Sequence, residues 1–327
     1  MAKKTEDTLF RLVKQMSKSE KRHFTLSYKR QKKKPKHFKL FEAINKMNEL
    51  DPEKLKIICP SNLSRYKSIL YNKILQSMRD YEGSNARSVR IKELLIDSKY
   101  LLERGLYDQG ESRLKEAKKL AEQIGDQLAL LEINKQERHL LRVNTTEKID
   151  YRKIIEEAIQ EKESTIKNLI QEYACLDNYD KLFATFRTQH ELKSESEKED
   201  LKKQFSLNSA QLQAIPDALM AKRRFFQALA LYHQLLGDFS SADEYHSEII
   251  KWWDENTEFR NEADYWYLAD LSNFLQAYLI RNNLEGVKRM LHKIEEIKSK
   301  NEHTKRLAFH VFNNNKLSFL IQNGKFV

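Results

Sequence analysis

"LLGDFSSADEYHSEII" (residues 235–250) decides the fold. Two apolar helical patterns meet there across one of only seven glycines in 327 residues. Leu229, Ala230 and His233 precede the glycine on one stripe, and Ile249, Ile250 and Trp253 follow it on another. Gly237 lets the first helix end in a tight turn. Phe239 is placed to fold back over that turn and plug the space between the helices. Ala242 is small where the second helix crosses the first. A bare turn needs only the glycine, so the ordered set predicts a packing joint. His233, on the apolar stripe, reads as a core residue.

The same grammar recurs. "RGLYDQG" separates the stripe of Ile91, Leu94, Leu95, Ser98, Leu101 and Leu102 from that of Leu114, Ala117, Leu120, Ala121 and Ile124. "RNNLEGV" is the joint of 264–298, and "QNGKFV" that of 305–327. Gly237 and Asn282 lie 45 residues apart, Asn282 and Gly324 lie 42 apart, and Gly105 and Gly237 lie 132 apart, three times 44. Spacing of that kind marks stacked helix pairs, none of which buries its apolar face alone. Between these joints, 126–142, 147–163, 164–190 and 197–206 read as further helices. The expected fold is therefore all-α: a basic N-terminal bundle of short helices over 1–85, then an α-solenoid of stacked antiparallel helix pairs over 86–327.

"GDFSSA" (237–242) resembles the joint of the tetratricopeptide repeat, a glycine, a polar residue, an aromatic and, three residues on, an alanine. "GLYDQG" (105–110) has Gly110 for the alanine, and "NNLEGV" (282–287) has Leu284 and Val287 for the aromatic and the small residue. The spacing exceeds that family's period of about 34 residues, so the likeness is to a degenerate relative. The start, "LFRLVKQMSKSEKRHF", also resembles that of uncharacterised bacterial helical-repeat proteins. The resemblance implies a protein-interaction scaffold whose first helices line a partner-binding groove. By residue-wise transfer that groove holds Arg224, Gln227, Leu231, Gln234, Ser272, Gln276, Asn314 and Ser318, amides and hydroxyls suited to a peptide or protein partner. The last joint is written out with no second helix after it, so a longer solenoid or self-association through the C-terminal end is expected. Leu307, Val311, Leu317, Leu320 and Ile321 would supply the apolar stripe.

Charge sets the N-terminal quarter apart. Residues 1–85 hold 21 Lys and Arg against 9 Asp and Glu, and residues 86–327 hold 38 against 39. "SKSE" (17–20) is a capping box, with Ser17 and Glu20 reciprocally bonded. Asp51-Pro52 opens another short helix, and 62–82 forms a longer one with Leu63, Tyr66, Leu70, Ile74 and Tyr81 inward. "YKRQKKKPKHFK" (28–39) carries Lys29, Arg30, Lys32, Lys33, Lys34, Lys36 and Lys39 with no acid. Such a run can neutralise phosphates, and Arg65, Lys67, Lys73 and Arg79 would decorate the last helix of a helix-turn-helix-like trio. The alternatives are a solvated run capping the solenoid or a contact to an anionic membrane or acidic protein. A nucleic-acid-binding regulator is the second functional reading.

Catalytic signatures do not occur: there is no HExxH, nucleophile elbow, Walker loop or dinucleotide glycine motif. His303 and His310, seven apart on one helix, read as surface or packing residues rather than ligands, which would need outside help. Of "WW" (252–253) and "YWY" (265–267), one member of each is expected in the core and another outside. Carboxylates interleave with Lys and Arg as solvated ion-pair faces. The expectation is a protein with no enzymatic activity, cofactor or metal. No run of about 18 apolar residues exists, and the two cysteines, Cys59 and Cys175, lack CxxC spacing and fit a reducing cytoplasm.

Overall fold

The computed structural model describes residues 8–29, 33–83, 86–143, 150–209, 215–299 and 301–322. The fold is all-α, with sixteen helices and no strand among the described residues. The chain divides into two compact units, Met1–Arg90 and Ile91–Val327. No helix is long and apolar enough to cross a membrane, the described residues alone being searched.

In the first unit, α1 (Thr8–Gln15), α2 (Lys18–Lys29), α3 (Lys36–Lys46), α4 (Pro52–Ile58) and α5 (Leu63–Gly83) follow one another. Local chemistry sets their starts. Ser17 Oγ accepts from the Glu20 amide at 3.1 Å and Glu20 Oε2 accepts from the Ser17 amide at 2.6 Å, which begins α2. Asp51 Oδ1 accepts from the Lys54 amide at 3.1 Å ahead of Pro52, which begins α4. The core is aromatic. Phe24 packs on Phe41 with ring centres 4.7 Å apart, and Tyr28 stacks on Phe38 at 4.5 Å. Leu70 and Ile74 of α5 close it from beneath, fully buried, as α5 packs on α2 and α3.

The second unit contains α6 (Arg87–Leu102, beginning just before the division), α7 (Tyr107–Ile124), α8 (Gln127–Val143), α9 (Tyr151–Thr188) and α10 (Glu195–Ser209). After these come α11 (Leu219–Leu236), α12 (Phe239–Glu255), α13 (Thr257–Glu262), α14 (Asp264–Ile280), α15 (Leu284–Glu295) and α16 (Glu302–Gln322). α11 packs on α9 and α12, and α14 on α15 and α16. The main core gathers Trp252, Trp253, Tyr267, Phe274 and Tyr278.

Several expectations are corrected here. Residues 147–163 and 164–190 are not two helices: α9 is a single 38-residue helix from Tyr151, and residues 144–149 lie outside the described part. The stretch has neither glycine nor proline. Next to the supposed break, Thr165 donates its hydroxyl to the Glu161 carbonyl one turn back, at 2.8 Å. At the deciding joint, Gly237 takes φ +78°, a conformation costly for any residue with a Cβ. Asp238 caps α12 by accepting from the Ser241 amide at 3.2 Å, and Ala242 is buried as expected. Phe239 does not plug the helices: it lies half-buried under the Arg281 guanidinium, 5.0 Å from its ring centre. His233 is not a core residue but sits partly exposed with Nδ1 3.0 Å from Asp238 Oδ2. Trp252 and Trp253 are both buried, because α11 covers one flank of α12 and α13 the other. At the next joint Asn282 itself adopts φ +55°. The close crossing falls on Gly286 rather than Val287, since a Cβ there would stand 2.6 Å from the Tyr278 ring. The joint at 323–327 lies outside the described residues.

Candidate functional site

Between α9, α11 and α14 opens a cavity of about 460 Å³. Helical spacing builds its walls. Tyr179, Phe183, Phe186 and Arg187 recur on one face of α9; Gln227, Leu231 and Gln234 do so on α11; Asn273, Phe274 and Ile280 come from α14. Tyr179, Phe183, Phe186 and Phe274 contribute rings to the lining, and Ala230, Leu231 and Ile280 aliphatic groups. Phe183 and Ile280 remain 37 % and 55 % exposed, so the cavity opens to solvent through apolar side chains. A larger hollow of about 580 Å³ beside Asp97, Tyr100 and Asp108 is lined by exposed or half-buried residues and has no such floor.

The floor is polar and fixed. Asp270, 2 % exposed, accepts from Arg223 Nε at 2.9 Å and Trp253 Nε1 at 2.8 Å through one oxygen. Its other oxygen accepts from Gln227 Nε2. Arg223 is equally buried, and its Nη1 finds no acceptor among the described residues. A buried charge pair of this kind is held by its hydrogen bonds more than by the attraction alone. Beside it, Arg224 donates to Gln227 Oε1 at 2.9 Å, its guanidinium lying 5.4 Å from the Tyr179 ring centre and 5.6 Å from that of Trp266. Burial, then the neighbouring Arg223 charge, lowers its pKa. Among the described residues no carboxylate comes within ion-pairing distance of Arg224, because Asp270 is committed to Arg223. On the remaining wall His246 is buried against the Phe274 ring, 4.2 Å between centres. Burial pushes its pKa below the usual imidazole value, although Asp243 opposes the shift.

Of the eight groove residues expected from the sequence, the cavity brings together Gln227, Leu231, Gln234 and Gln276, with Arg224 one turn along α11. Ser272 is half-buried on α14 but does not line the cavity. Asn314 and Ser318 do not line it either: they are exposed on α16 and bonded to each other, Ser318 Oγ donating to the Asn314 carbonyl at 3.1 Å. Asn315 is the inward residue and accepts from Gln276 Nε2 at 2.6 Å. Sequence reasoning missed the aromatic wall of α9, because nothing in the sequence says which helices that face meets. It also missed Asp270 and His246, whose burial depends on three helices meeting. The signal for the wall was present as Tyr179, Phe183 and Phe186 at helical spacing.

In the first unit, Lys29, Lys33, Lys34, Lys36 and Lys39 are exposed, while Arg30 and Lys32 lie outside the described residues. Lys34 pairs with Glu42 at 2.5 Å. On α16, Phe309, Leu317 and Ile321 are 65 %, 55 % and 49 % exposed, whereas Leu307 and Val311 pack against the main core. His303 and His310 are exposed, as are Tyr265 and Trp266. No family model, curated protein or solved structure matches the chain.

Proposed function

We propose that this protein is a non-enzymatic interaction module that holds a peptide, or an extended segment of a partner protein, in the groove between α9, α11 and α14. The observation that carries this is an open, ring-lined cavity over an immobile polar floor, the combination that anchors an apolar side chain while fixing its backbone. Arg224 adds a cation without a carboxylate of its own, suited to an acidic group on the partner. Two buried titratable groups at the cavity support the non-enzymatic reading: Asp270 is spent on three donors and His246 packs on a ring. The reading includes a degenerate tetratricopeptide-like stacking of the helices over 86–327, supported by the residues of the 105 and 237 joints, and a cytoplasmic setting, supported by two free cysteines. It also includes self-association through the exposed apolar residues of α16, which Leu317→Lys with Ile321→Lys should abolish in light scattering.

Peptides selected by display on the full chain test the groove. Phe183→Lys and Ile280→Lys sit at its exposed rim and should weaken selected peptides at least about tenfold with helicity unchanged. Replacing Gln227 would be a poor test, because its amide holds Asp270. Peptides that bind wild type and both rim variants equally would remove the groove from the account.

A further inference from the structure

Two runs of the first unit lack acids altogether: no Asp or Glu occurs from Lys21 to Phe41, nor from Lys54 to Arg79. They are separate in sequence, but the packing of α2 and α3 on α5 lays one against the other. Lys36 Nζ stands 5.6 Å over the Tyr66 ring, and Tyr28 of α2 bonds His37 of α3 at 3.1 Å. Burial, then the charge of Lys73 on α5, lowers the His37 pKa, and Lys73 bonds Gln76 at 3.1 Å. Cations of α3 therefore adjoin those of α5, and the acid of α3, Glu42, is paired with Lys34. On α5 the spacing of Arg65, Ser68, Asn72, Gln76 and Arg79 puts all five on one face, and each is exposed. That face is as suggestive as the charge: guanidinium, amide and hydroxyl groups are those that read base edges. Lys67, expected on the same surface, is half-buried instead.

We propose that the first unit binds duplex DNA on this acid-free face. Lys33, Lys36, Lys39 and Lys73 neutralise phosphates, and the outward side of α5, with Arg65 and Asn72, lies over the major groove. An α-helix fits that groove, and α5 is a 21-residue helix. An anionic membrane is the weaker match, because an apolar wedge is wanted where this stripe carries amides and a hydroxyl.

Anisotropy of a short labelled duplex, titrated with the full chain at about 50 and about 200 mM salt, tests the proposal. Binding should occur at the lower salt and weaken at least about tenfold at the higher. Changing Lys33, Lys36 and Lys39 to Gln should weaken it at both salts. Arg65→Ala with Asn72→Ala should cost at least about tenfold at low salt. All five side chains are exposed, so circular dichroism should be unchanged, which separates lost contact from lost fold. Absence of binding at low salt overturns the proposal. So does equal binding by the Arg65/Asn72 variant, or a preference for phosphatidylserine vesicles or an acidic peptide over the duplex. The peptide groove stands or falls separately, since its rim variants alter no residue of the first unit.

Discussion

Asp270 shows what a single side chain does here. Among the described residues its carboxylate is the one ion-pair partner of Arg223, so Asp270→Ala leaves a guanidinium buried without compensation. We expect a loss of about 3–5 kcal/mol in urea unfolding; a loss below about 1 kcal/mol would mean that Arg223 escapes to solvent. His246 supplies the pH dependence. Burial holds its folded pKa below the free value, with Arg281 acting the same way and Asp243 against. The unfolded chain therefore takes up a proton first, near pH 6.5. The contribution is whole above that pH and is lost as pH falls towards the folded value. Unfolding midpoints between about pH 7 and about pH 5 should drop more for wild type than for His246→Gln; parallel curves would reject the assignment. At this scale the sequence was legible where partners are local, as at Ser17 and Asp51. Asp270 and His246 were not legible, since their partners come from other helices.

At the scale of the element, α9 is the instructive case. A joint was expected between residues 163 and 164, and a proline just after a joint would sit harmlessly in a first turn. In a continuous helix Ser164→Pro removes an amide donor and clashes with the preceding turn, costing about 3 kcal/mol. Thermal melting should show that loss, and Ser164→Ala should be neutral or slightly stabilising; a melting temperature unchanged by the proline would restore the two-helix reading. Joints with a glycine or a cap were legible, because backbone conformation there is a property of two or three residues. Continuity was not, because nothing in a polar stretch announces that a helix goes on. The aromatic wall was hidden for another reason: Tyr179, Phe183 and Phe186 fall within the expected 164–190 helix, but nothing local says what their face meets.

For the whole molecule, helical class and the uneven charge were both readable from composition, and neither required any contact to be known. What could not be read was the juxtaposition of distant segments, which creates both the groove and the acid-free face. The two cysteines carry a consequence of their own. Cys59 belongs to the first unit and Cys175 to the second, each is unpaired, and both are 0 % exposed. Burial, then the charge of Glu172, pushes the Cys175 thiol up to about 11, so neither thiolate nor access is offered by the native state. Alkylation must then wait for the surrounding helices to part. Peptide mass mapping distinguishes the two sites, so one timed reaction on one unmodified sample follows two clocks. The rate at Cys59 reports how often the first unit breathes, and the rate at Cys175 reports the second. A DNA ligand should slow only the first clock, and a groove peptide only the second.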